Sequence, residues 1–123
     1  MRSALGPSLD AGRSRLALQR AALRMTDDWL AMGHILGVGT ITVSPTGAVM
    51  VHVEPVGALP SPPARLRALW LGWDAAQLEI RPPVRLHSGA WAQQIRLQVP
   101  VPGFDMTLWC YERIANPHLL ASA

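Results

Sequence analysis

A chain of 123 residues, half of them hydrophobic and only 15% charged, has the length of one domain and ample material for a packed core, so a disordered chain is excluded. All eleven basic residues are arginine, which excludes a Schiff-base lysine, a lysine general base and a phosphate-loop lysine, and points to a GC-rich bacterial genome. The net charge of +3 belongs to residues 1–24, where five arginines stand against Asp10; the rest carries six arginines against seven acids, a balance that disfavours nucleic-acid binding by the body of the domain.

Residues 1–12, with Gly6, Pro7 and Gly12, lack periodicity and predict a loose arm ahead of a single α+β domain over 13–123. From Arg13 to Met32 the pattern is helical. Leu18, Ala22, Met25, Trp29 and Met32 share one face, and Leu16, Leu23 and Leu30 form a second stripe further around the cylinder. Arg13, Arg20, Arg24 and Asp28 fill the polar remainder. Such a wide apolar arc predicts packing on more than one side, against a sheet and against a partner chain. Gly33 marks the stop. Met25-Thr26-Asp27-Asp28 reads equally well as a native chain start, with Thr26 or Asp27 capping a shorter helix.

Ile41 and Val43 alternate with polar neighbours, Pro45-Thr46-Gly47 turns, and Val49, Val51 and Val53 alternate with Met50, His52 and Glu54, predicting a hairpin with one buried face. After a proline-rich connector, Ser61-Pro62 supplies an N-cap and a first-turn proline for a short helix with Leu66, Leu69 and Trp70 as its apolar stripe and Gly72 as its stop. Residues 78–80, 84–86 and 95–101 follow as strands, the first two split by Pro82-Pro83, with His87-Ser88-Gly89-Ala90 as a turn. Residues 106–114 suit either a strand or a helix. Asp105 as cap, Asn116-Pro117 as stop and a face of Met106, Trp109, Cys110 and Ile114 favour the helix. The predicted class is therefore α+β: a small antiparallel sheet with an N-terminal helix, a short central helix and a C-terminal helix.

Catalytic signatures are missing. One cysteine, Cys110, allows no internal disulfide and suggests a reducing compartment, with the cytoplasm as the default location. It reads as a small buried hydrophobe rather than a nucleophile. No apolar run is long enough to span a membrane, and the N-terminus makes a poor secretory signal. His34, His52, His87 and His118 show no metal-ligand spacing, so neither a metal nor a cofactor is expected. The glycines at 33, 37 and 39 precede a strand rather than joining strand to helix, so they are no dinucleotide fingerprint. His52 and Glu54 share the wetter face of their strand, where an acid–base pair is geometrically feasible. Of the five tryptophans, Trp29 and Trp70 are expected in the core, while Trp73 and Trp91 lie beside turns, where they form a partner-binding surface with Arg65, Arg67 or Arg96.

Val56-Gly57-Ala58-Leu59-Pro60 followed by Ala64-Arg65-Leu66-Arg67-Ala68-Leu69 is similar to the connector and central helix of the small secretion chaperones of bacterial type III systems. Val84-Arg85-Leu86, then Ile95-Arg96-Leu97 running to Val99-Pro100-Val101-Pro102-Gly103-Phe104-Asp105, resembles the late hairpin of that family where it enters the final helix. The resemblance covers about residues 26–115 and implies a homodimer that binds an effector's unfolded segment without catalysis. It also implies three strands before the central helix, of which the sequence marks two, and an acidic chain, whereas this one is basic.

The expected function is thus a non-enzymatic protein-binding module, dimeric and chaperone-like or adaptor-like, with partner-binding residues Leu16, Leu23, Leu30, Trp73, Trp91, Arg65 and Arg67. A second expectation is a small ligand-binding domain or enzyme with a cleft at His52, Glu54 and His87. A third is weak nucleic-acid binding by the arginine-rich N-terminus.

Overall fold

The computed structural model describes residues 6–101 and 103–121, with side chains described from residue 12 to 119. Its elements are α1 (Gly6–Ala31), β1 (Val38–Val43), β2 (Val49–Val53), α2 (Pro62–Leu71), β3 (Gln77–Ile80), β4 (Val84–Arg85), β5 (Trp91–Val99), β6 (Met106–Ile114) and α3 (Pro117–Ala121). The α+β class expected from sequence is the class observed. The six strands form one sheet in the order β1-β2-β6-β5-β3, with β4 also paired to β5. All pairings are antiparallel but one: β2 runs parallel to β6, Val49 beside Met106 and His52 beside Trp109, so the sheet is mixed rather than antiparallel.

Residues 106–114 are a strand, which corrects the helix favoured from sequence. The helix near the C-terminus is α3, described over Pro117–Ala121 and beyond the expected stretch. The reason is tertiary. β6 is the centre of the sheet, bonded to β2 on one side and along its whole length to β5 on the other. Met106, Leu108 and Cys110 alternate into the core, and a central strand satisfies its backbone groups from neighbours no local signal can announce.

Two further expectations change along α1. The chain is already helical at Gly6, so part of the segment expected as a loose arm is helical; residues 1–5 lie outside the described residues. Thr26 caps nothing: it lies within the helix, fully buried, with Oγ1 donating to the Ala22 carbonyl at 2.7 Å. Gly33 does terminate the helix, adopting φ +76° while its N–H donates to the Leu30 carbonyl.

The core lies on one face of the sheet. Val49, Val51 and Val53 of β2, Ile95, Leu97 and Val99 of β5, and Met106, Leu108 and Cys110 of β6 are closed over by Ala22 and Trp29 of α1 and Leu66 of α2. α2 forms where its signals predict. Ser61 Oγ accepts from the Ala64 N–H, two prolines open the first turn, and Gly72 ends it. Trp70, expected in the core, is 40% exposed, because Leu66 and Leu69 define the inward stripe and Trp70 turns outward. The opposite face of the sheet carries none of the described helices; it presents His52, Gln94, Arg96, Gln98, Trp109 and Tyr111.

Candidate binding site

Where α1 ends, the chain turns through residues 33–36 and passes the C-terminal half of α2. The end of α1 meets the segment just beyond α2 through aromatic rings. Trp29 stacks on Trp73 with centroids 5.9 Å apart, and His34 lies 5.0 Å from each of them. In front of these rings opens a groove of about 610 Å³ lined by His34, Leu36, Leu59, Leu69 and Trp73, among others. Its walls are mainly apolar. Leu36 is 56% exposed, and Met32 and Leu71, each adjacent in sequence to a lining glycine, are more exposed still.

Arg65 is the one charged side chain in the groove wall, and its donors are engaged. Nε donates to the Pro60 carbonyl at 2.9 Å, and the two terminal nitrogens donate to the carbonyls of Leu36 and Glu54. Three separate stretches of chain are thereby tied to one guanidinium. Gly37 permits this approach: at φ +75°, a Cβ there would stand 2.9 Å from the Glu54 carbonyl oxygen.

Arg67, two positions further along α2, belongs to a different contact. It forms a bidentate pair with Glu112 of β6, and Gln93 donates to the same carboxylate at 2.9 Å. These bonds hold the Glu112 carboxyl below the usual carboxylate range, with the Arg67 hydrogen bond the main cause and burial opposing it.

The structure separates the remaining residues singled out in the sequence. Trp73 is half-buried against the core rather than standing free at a turn, and Trp91 is half-buried at the start of β5, edge-on to His118 at 5.3 Å. Leu16 and Leu23 are 51% and 44% exposed on α1, with Leu30 partly buried against the core. Arg13, Arg15, Arg20 and Arg24 are exposed along the same helix.

His52 and Glu54 do approach on the helix-free face, Nδ1 to Oε1 at 3.4 Å, with the His52 ring 4.3 Å from that of Trp109. His87 is not part of this cluster. It sits in the β4–β5 turn beyond Trp91, whereas the residue opposite Trp109 is Arg96. Five residues of strand separate those positions, about 17 Å at ~3.3 Å each. Neither His52 nor Glu54 lines the groove beside α2.

Cys110 is buried, as expected, although on a strand. Burial, with the Glu112 charge second, pushes its thiol up to about 11, so the nucleophilic thiolate is scarce at neutral pH. Among the described residues no group of three or more His, Cys, Asp or Glu side chains is placed to hold a metal, and no helix is long and apolar enough to cross a membrane.

Sequence reasoning missed the groove and the aromatic helix-free face. Tyr111 is 46% exposed there and packs edge-on against Trp109 at 5.6 Å. The available signal was the period-two alternation of Thr107, Trp109 and Tyr111 against Met106, Leu108 and Cys110. Comparison with protein-family models, with curated proteins and with solved structures finds no match to this chain.

Proposed function

We propose that this chain is a non-enzymatic protein-binding module that accepts apolar side chains of a partner segment in the groove between the 33–36 turn and α2, in the manner of an adaptor or a chaperone. The observation that carries the proposal is the groove's chemistry. It has the volume of a ligand site, but its walls are apolar, and Arg65, the one charged group in them, is committed to backbone carbonyls. A site for a small polar substrate needs several polar groups converging on it, and besides Arg65 the only polar side chain lining this groove is His34. The His52–Glu54 pair, the best acid–base candidate, lies outside it. The similarity of 56–60 with 64–69, and of 84–86 with 95–97 and 99–105, to type III secretion chaperones supports the same direction, since such binding needs surface and no catalytic residue.

The test is capture of a partner from the native host, followed by titration of that purified partner against wild type and Leu36→Asp. Leu36 is more than half exposed, so its substitution spares the fold. A stoichiometric partner whose affinity falls about tenfold or more with Leu36→Asp is the expected result. A partner bound equally by both proteins, or none, refutes the groove as the site.

A further inference from the structure

Leu16, Leu23 and Leu30 recur every seven residues on α1. That is the spacing of a seam between two helices, since a straight helix drifts only about 20° per seven residues. The domain buries a different face: Ala22, Thr26 and Trp29 are in the core, while Leu16 and Leu23 are about half exposed and Leu30, at the end of the stripe, is partly buried against the core. Gln19, on the core-side flank of the leucine stripe, donates to the Val43 carbonyl of β1 at 3.5 Å. β1 is an edge strand, so the stripe opens over the free edge of the sheet rather than toward α2. Ile41, on the helix-side face of β1 and 37% exposed, extends the apolar patch.

The other flank of the stripe carries Arg20 and Asp27, each within about 60° of the two leucines that bracket it in sequence on a helical projection of about 100° per residue. They are also seven residues apart and so occupy equivalent places on the same flank. Both are exposed, and neither makes an ion pair within the chain among the described residues.

We propose that α1 is the interface of a homodimer in which two copies pack antiparallel along Leu16, Leu23 and Leu30, with Arg20 of each copy facing Asp27 of the other. The pattern is self-complementary about Leu23. Reversing one helix about that residue sets Leu16 against Leu30, Leu23 against itself and Arg20 beside Asp27, twice over. An antiparallel two-fold brings like flanks together, so the charges pair. A parallel arrangement would set the Arg20/Asp27 flank against Gln19 and Thr26, leaving both charges unmatched. The surface is distinct from the groove, so the dimer and the groove proposal stand or fall separately.

Sedimentation of the full chain across the micromolar range tests the proposal, together with a charge-swap cycle. Arg20→Asp and Asp27→Arg should each weaken dimerisation about tenfold, by removing two attractions and adding two repulsions, and the double variant should recover wild-type affinity. Both residues are exposed, so the variants retain the fold. Under oxidation, Leu23→Cys should cross-link to itself and Leu16→Cys should not. A monomer at every concentration, single variants that dimerise unchanged, or equal cross-linking at both positions overturns the proposal. A monomer whose α1 binds anionic vesicles overturns it too, and assigns the stripe to a lipid surface.

Discussion

The guanidinium of Arg67 meets the carboxylate of Glu112 in a two-pronged contact, Nη1 to Oε2 at 2.6 Å and Nη2 to Oε1 at 2.9 Å. It joins α2 to the central strand of the sheet, and Gln93 of β5 completes the carboxylate's bonding.

Glu112→Gln should therefore cost about 0.5–1 kcal/mol at neutral pH, a modest figure because the pair is partly solvated. The pH dependence follows from the lowered carboxyl. A carboxyl with a depressed folded-state pKa contributes stability above its unfolded value, about 4.3, and loses it as pH falls through the folded value. Denaturant titrations of wild type and variant should differ at pH 7, with the difference shrinking once pH falls below the unfolded value of about 4.3 and vanishing below the folded value. A constant difference down to pH 2 would refute this account.

Cys110 should resist alkylation in the native protein. Its thiol is raised to about 11 and its side chain is buried, so iodoacetamide should label it only after unfolding. Mass spectrometry of the reacted native chain at pH 8 checks this; rapid stoichiometric modification would contradict it.

Gly37→Ala should destabilise the domain by about 2 kcal/mol or more. The new methyl group meets both a positive φ and the Val56 side chain, whose Cγ2 would stand 2.6 Å away. The strand entry and the Arg65 bonding network would have to shift together. A thermal midpoint unchanged from wild type would show that the segment yields freely.

Leu66→Ala and Leu71→Ala make a paired test of how α2 is seated. Leu66 is fully buried, and its truncation should cost about 2–5 kcal/mol. Leu71 is 76% exposed, and the same change there should stay within about 0.5 kcal/mol. Similar losses at both would mean that α2 packs by a face other than the one described.

Legibility in the sequence followed the range of the interaction. α2 could be bounded because Ser61, Pro62 and Gly72 act on residues within one turn. The hairpin at 45–47 was readable for the same reason, with Ser44 and Ala48 closing it by hydrogen bonds across the turn. β6 was misread because Asp105 and Asn116-Pro117 imitate helix boundaries, whereas its strand character depends on partners far along the chain. The wide apolar arc of α1 was visible, but not its division: Ala22 and Trp29 go inward, while Leu18 and Met32, assigned to the same face, are 53% and 70% exposed. The groove was invisible, since it gathers His34, Leu59 and Trp73 from three separate segments, and a lone His beside apolar residues announces nothing locally.

The parallel seam between β2 and β6 also sets an order of events. Val49 cannot find Met106 until everything from α2 through β5 has been made, so the β1–β2 hairpin waits with its inner edge bare. Joining strands so distant in sequence is slow, because the loop between them must close before any bond rewards it. During synthesis the nascent chain therefore exposes Val49, Val51 and Val53 beside an unpaired edge until the last strand emerges and fills the gap. Chains cut short before residue 106 should consequently aggregate, whereas loss of residues after 116 should leave the sheet intact.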